Sequence, residues 1–242
     1  MLPLAVGRPG RRLVPAALVI GSMVPDLPYF LPLHRGSDWT HAASGPFTVD
    51  LVLGMIVLVV WHFLLYRPLC DFAPWWVSER LPERAELRGR RWGWAAVSVI
   101  IGALTHVVLD TFTHPGRLGT TQVGILTSYI GPFPAYRWFQ FGLGAFGLII
   151  LLAWAGHWLA QAPMRPVPSA LTVGQRRLGW LIVLAVFSGS VGATTLRGLI
   201  RRVPLEEVAF EVATTSIALT AVAVLVVCLA WPGYQTDPTE PR

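Results

Sequence analysis

Residues 94–114, WAAVSVIIGALTHVVLDTFTH, decide how the chain is read. The first eleven are apolar or small and carry no charge, as a helix facing lipid would. The last ten, THVVLDTFTH, place two histidines and an aspartate four residues apart. At 3.6 residues per turn, positions i, i+4 and i+8 drift slowly around a helix and form one stripe. His106, Asp110 and His114 are therefore expected to point into the same space, and Gly102, one turn earlier, leaves room for a neighbouring helix. Ionisable groups at membrane depth are costly, and they face a bundle interior or a water-filled cavity by default.

The rest of the chain puts this helix in a membrane. Of its 242 residues 54% are hydrophobic and only 13% charged, and the mean hydropathy is +0.56. Soluble domains carry about 25% charged residues. A hydrocarbon core of about 30 Å needs roughly 20 mostly apolar residues. Six stretches come close: Leu13–Leu33, Phe47–Tyr66, Trp94–His114, Trp138–Ala160, Leu178–Leu196 and Val208–Trp231. The expected fold is all-α, an integral membrane bundle of about six transmembrane helices. It forms one polytopic domain over residues 1–231, followed by a disordered tail over 232–242. The opening MLPLAVGRPGRRLVPAALVIGSMVPD has a basic start and an apolar run but no convincing small-residue cleavage site, so it reads as a retained first helix. The stretch LGTTQVGILTSYIGPFPAYR, residues 118–137, is too broken by Gly, Thr and Pro to span. It is expected as a loop packed on the protein or a shallow re-entrant piece.

All 19 cationic residues are arginine, and the formal net charge is +6. The arginines lie in loops flanking apolar segments, which speaks for orientation and headgroup contact rather than nucleic-acid binding. With both termini, the loop Arg67–Arg91 and the loop holding Arg165, Arg176 and Arg177 on one side, that side carries thirteen arginines and the other six. The positive-inside rule then favours an inner-membrane protein with N-in and C-in termini. Cys70 and Cys228 fall in dissimilar settings, so no disulfide is expected.

In the six-span frame most acids and histidines of the first half lie at the extracytoplasmic surface. Asp26 sits near the outer end of helix one, His34, Asp38 and His41 in the first outer loop, and Asp50 at the start of helix two. His62 and His157 are expected at the inner interface. Two imidazoles and a carboxylate suit zinc and related divalent metals, with one coordination position left open for water in a catalytic site. Asp26 and His41 complete that set or build a second metal position. Each piece also has a plainer explanation. His-x-x-x-Asp serves interhelical hydrogen bonding, Asp26 in PDLP caps a turn, and Asp50, Glu206 and Glu207 suit helix N-termini.

The motifs GSMVPDLPYFLP, THAASG, HVVLDTFTHPG and YRWFQFG, in that order, resemble an uncharacterised bacterial multi-pass membrane family, domain of unknown function 4184. More distantly, the order Pro-Asp, Thr-His, His-x-x-x-Asp is similar to inner-membrane predicted metal-dependent hydrolases, and through them to the zinc-dependent phospholipase C and P1 nuclease fold. The resemblance implies metal-ligand roles for Asp26, His41, His106, Asp110 and His114. Members usually open with a segment ending in Ser-His ahead of the Leu-Pro-Leu that here follows Met1, so the resemblance implies either that this ligand is lost here or that the true start lies upstream and supplies it. The later His-x-x-x-Glu helix of the phospholipase-type fold has no counterpart here, which favours one or two zinc ions over three.

The expected function is a membrane-embedded metal-dependent hydrolase of phosphate esters or phospholipid headgroups, its site at the extracytoplasmic face and its partner the lipid bilayer. Asp50 or Asp38 is the expected general base, and Arg35, Arg117 or Arg137 the phosphate clamp. The alternatives are an ion or small-solute transporter using the same His/Asp cluster, and a non-catalytic structural membrane protein.

Overall fold

The computed structural model describes residues 12–31, 37–83, 86–165 and 168–234; the tail beyond Tyr234 lies outside them, as do His34 and Arg35. Its architecture follows from where proline interrupts the helices. Helix α1, Pro15–Met23, starts on a proline, which suits a first turn that has no use for the missing N–H. It then gives way to a 3-10 helix over Val24–Phe30. Pro25 and Pro28 cannot donate, and their rings crowd the carbonyls of the preceding turn, so the segment VPDLP cannot continue a regular α-helix. Six spans were expected, with this the first. Among the described residues five helical segments are long and apolar enough to cross a membrane: Val49–Phe72, Arg90–Gln122, Ala135–Gln161, Val173–Arg201 and Leu205–Leu229. The protein is thus mainly helical and a multi-pass membrane protein.

The chain divides into two compact units, each described by itself. One comprises the chain up to Pro25, Asp38–Met55 and Ala85–Pro163. It holds α1, the short α2 (Ser37–Thr40), the first turns of α3 (Val49–Val60), α6 (Arg90–Thr113), α7 (Leu118–Gln122) and α8 (Ala135–Gln161). Its centre is the crossing of α1 and α6. The buried face of α6 runs Ala95, Ser98, Val99, Gly102 and Ala103, and α1 offers Ala17 and Gly21. Small residues let two backbones meet where lipid gives no hydrophobic drive. A Cβ at Gly21 would collide with the Val99 carbonyl, and one at Gly102 with the Leu18 carbonyl, as the spacing around Gly102 foretold. Ser98 Oγ accepts from Val14 N at 2.9 Å and pins the start of α1 to α6. Residues 118–137 form α7, a 3-10 turn and a two-residue hairpin, β1 (Tyr129–Ile130) with β2 (Phe133–Pro134), turning through Gly131 at φ +64°. Helix α8 buries none of its residues, and apolar side chains such as Phe146, Ile149 and Leu152 are exposed. A bilayer is the solvent such a helix requires.

The other unit comprises Asp26–Ser37, Ile56–Arg84 and the chain from Met164. It contains the π-helical turn Trp61–Leu65, α4 (Tyr66–Phe72), α5 (Trp75–Ser78), α9 (Val173–Arg201) and α10 (Leu205–Leu229). Thr172 and Gln175 form a capping box that starts α9. Arg202, left-handed at φ 55°, ends it ahead of Pro204. The packing of Gly198 against Val208 closes the α9–α10 hairpin. Asp71 accepts from Ala170 N at 2.9 Å, from Trp231 Nε1 at 2.8 Å and from Ser169 Oγ, tying α4 to the chain before α9 and after α10. His62, expected at the interface, is buried on the π turn against Phe63, whereas His157 is exposed. Cys70 and Cys228 are both free.

The α1–α6 crossing is testable. Gly102→Val forces backbone apart from backbone and should cost about 1–3 kcal/mol or more. Gly142→Ala on α8, where no atom lies within 4 Å, should leave stability unchanged or slightly raised. Thermal unfolding of the two variants in detergent, each beside wild type, checks the contrast.

Candidate metal centre

The first unit brings four of the expected site residues together. Two turns beyond Val99, the α1-facing side of α6 carries His106 and then Asp110. Asp110 is the hub: its Oδ2 lies 3.2 Å from His41 Nε2, and its Oδ1 lies 3.3 Å from His114 Nδ1 and 3.8 Å from His106 Nε2. The rings of His41 and His106 stand edge to face with centroids 5.6 Å apart. Helix α6 supplies His106 and Asp110 one turn apart; His41 comes from the chain just after α2.

The prolines of the 3-10 segment explain how the imidazoles are oriented. Pro25 has no N–H to give the carbonyls three and four residues back, and the Ser22 carbonyl is taken by His106, whose Nδ1 donates to it at 2.9 Å. Pro28 likewise has none to give Pro25, and the Pro25 carbonyl accepts from Thr40 Oγ1 at 2.8 Å. With its proton committed there, the Thr40 hydroxyl accepts from His41 Nδ1 at 3.2 Å. Both rings therefore carry their proton on Nδ1 and turn Nε2, the lone-pair nitrogen, toward the same carboxylate. An imidazole held by its other nitrogen in this way is the usual setting of a metal-binding histidine. A lone pair facing a carboxylate at 3.2 Å needs a cation or an added proton between them.

His114 differs from the expected stripe. Helix α6 ends at Thr113, and His114 is extended (φ −121°, ψ 142°) because Pro115 follows it. It reaches Asp110 through Nδ1, which also lies 3.1 Å from Thr113 Oγ1. Thr120 Oγ1 holds the His114 carbonyl at 2.8 Å. Thr40–His41 and Thr113–His114 thus repeat one device, a threonine hydroxyl beside the Nδ1 of the next histidine. The sequence carried both Thr-His pairs, but the threonines were passed over as ligand neighbours.

Asp50 lies in the first turn of α3, fully buried, and neither of its carboxylate oxygens has a hydrogen-bond partner among the described residues. It interacts electrostatically with His41 and His106. Taking a carboxylate out of water costs several kcal/mol even after relaxation, whereas a helix N-terminus returns about 0.3–1 kcal/mol. The helix end alone therefore does not account for Asp50. Asp38 is exposed on α2. Arg117 is the N-cap of α7, and Arg137 lies over the Phe133 ring at 5.6 Å. Arg35 falls outside the described residues. Asp26 is the first residue of the second unit, one peptide bond beyond Pro25. Among the described residues, Asp26, His41 and His106 are the candidate group for holding a metal ion. The second unit has a cavity of its own, about 1030 Å³, lined by Tyr29, Phe210, Thr214, Glu206, Glu207 and the Arg197–Glu211 ion pair, whose closest atoms are 2.8 Å apart.

The histidines differ in access: side-chain exposure is 2% for His41, 17% for His106 and 43% for His114. Diethyl pyrocarbonate should therefore modify His114 first, His106 more slowly and His41 last. Peptide mass spectrometry over a time course reads the order directly.

No curated protein and no solved structure matches the chain, so the more distant likeness to metal-dependent hydrolases and the phospholipase C fold gains no support from either comparison. The match to a family is nearly complete: "Domain of unknown function (DUF4184)" covers residues 1–231. The chain belongs to the DUF4184 family.

Proposed function

We propose that the protein is a membrane-embedded metal-dependent hydrolase, with phosphate esters, including phospholipid headgroups, as its substrate class. The observation that supports it is the pair of imidazoles anchored through Nδ1, each turning Nε2 toward Asp110. The donor set is nitrogen and carboxylate oxygen without thiolate, which fits zinc and manganese. His41, His106 and Asp110 would hold the ion, with Asp26 and His114 completing the set. When bound, a divalent ion supplies Lewis acidity toward a phosphoryl oxygen and acidifies water.

The chain's own residues supply the remainder. Ser22 and Thr40 fix the two rings in one tautomer, so no reorganisation is needed when a cation arrives. Exposed Asp38 can serve as a base toward a water or an alcohol, and Arg117 and Arg137 as cations for a phosphate. The expected inner-membrane orientation, N-in and C-in, requires Pro15–Phe30 to cross as a sixth span.

Metal analysis of detergent-purified protein tests the reading. Wild type should carry stoichiometric zinc or manganese at neutral pH, and His106→Ala/Asp110→Ala should carry none. If wild type binds no metal, the hydrolase reading fails. Metal without turnover of any phosphodiester or phosphomonoester favours transport or a structural role.

A further inference from the structure

Asp50 is the one fully buried carboxylate among the described residues for which the cluster so far has no use. The chain brings it there by a short, stiff route. After His41 the backbone turns at Ala42, whose carbonyl accepts from Gly45 N at 2.8 Å, and passes through the 3-10 turn Gly45–Phe47. Gly45 lies directly on the Thr40 backbone, where a Cβ would collide with the Thr40 carbonyl. Thr48 Oγ1 donates to the Ser44 carbonyl at 2.9 Å and closes the loop onto α3. Nine residues after His41, Asp50 is thereby returned to the same unit, fully buried, with both oxygens lacking a donor among the described residues.

Three explanations compete for such a group. A helix-capping role would show a hydrogen bond from a backbone N–H of the first turn, and there is none. A neutral carboxyl would keep its O–H as a buried donor that still needs an acceptor, and neither oxygen has a hydrogen-bond partner among the described residues. The third is a cation. His41 and His106 turn Nε2 toward Asp110, while Asp50, whose charge they also feel, has no hydrogen-bond partner among the described residues. A divalent ion would offset much of the charge that Asp50 and Asp110 bring into the unit, and imidazoles add donors without adding negative charge.

We infer that Asp50 is a ligand of the proposed metal centre, the carboxylate contributed by α3, rather than its general base. The inference rests on the metal-centre reading and adds to it a fourth chain segment, α3. An acid held by the ion is not free to take a proton, so the base is sought at exposed Asp38.

The test is titration of zinc, and of cobalt as its spectroscopic substitute, into full-length metal-stripped protein in detergent. Wild type is compared with Asp50→Asn and Asp50→Ala, and thermal unfolding is followed with and without metal. Asp50→Asn keeps the shape and removes the charge. It should weaken zinc binding at least about tenfold or lower the stoichiometry, and it should alter the visible spectrum of the cobalt form. Its metal-free midpoint should equal or exceed that of wild type, because an uncompensated buried charge has gone, while the rise on adding zinc shrinks. Asp50→Ala, which also empties space, should lose metal in the same way. Asp50→Asn with wild-type affinity, stoichiometry and cobalt spectrum would overturn the inference while leaving the metal centre standing. Absence of metal from wild type would overturn both.

Discussion

The close approach of α1 to α6 through Gly21 and Gly102 is the contact from which the candidate centre follows. Backbone meets backbone there, so the register of the two helices is set by which residues have no side chain. That register places the Ser22 carbonyl opposite His106 and aligns the end of α1 with the polar half of α6. In lipid, van der Waals packing and interhelical hydrogen bonds are the main terms that hold two helices together. This unit uses both, with glycine and alanine at the crossing, Ser98 bonding Val14 at one end and His106 bonding Ser22 at the other.

The PDLP segment then acquires a physical role. Two prolines three residues apart sit in a helix whose hydrogen bonds span three residues. Each leaves a carbonyl without its local donor, and side chains of the first unit bond both, His106 at Ser22 and Thr40 at Pro25. The same chemistry that prevents α1 from continuing fixes the tautomers of two imidazoles. Breaking the helix and building the cluster are one event.

Much of this was legible in the sequence where the signal was local. The 3.6-residue period placed His106 and Asp110 on one face, and Gly102 announced a close neighbour. The proline after His114 marks the end of α6, so the i+8 position need not be helical. Reading His114 as a third helical turn overlooked Pro115. The first apolar stretch was long enough by count for a span, but its prolines forbid one uniform α-helix, which is why five helical spans stand where six were expected. What lay beyond local pattern was pairing at a distance. Nothing in the spacing of THAASG says that Thr40 meets Pro25 or that His41 meets Asp110. Asp50 read as a first-turn acid or a general base, and its burial behind the Gly45 turn, which folds back on Thr40, was not legible in local pattern.

The account turns on two imidazoles presenting Nε2 to one shared ion. X-ray absorption at the zinc or manganese edge of the metal-loaded protein tests that most directly. The account predicts a first shell of nitrogen and oxygen only, at about 2.0–2.1 Å for zinc, with the outer-shell scattering of at least two imidazoles. A shell without imidazole scattering, or one containing sulfur, would contradict it.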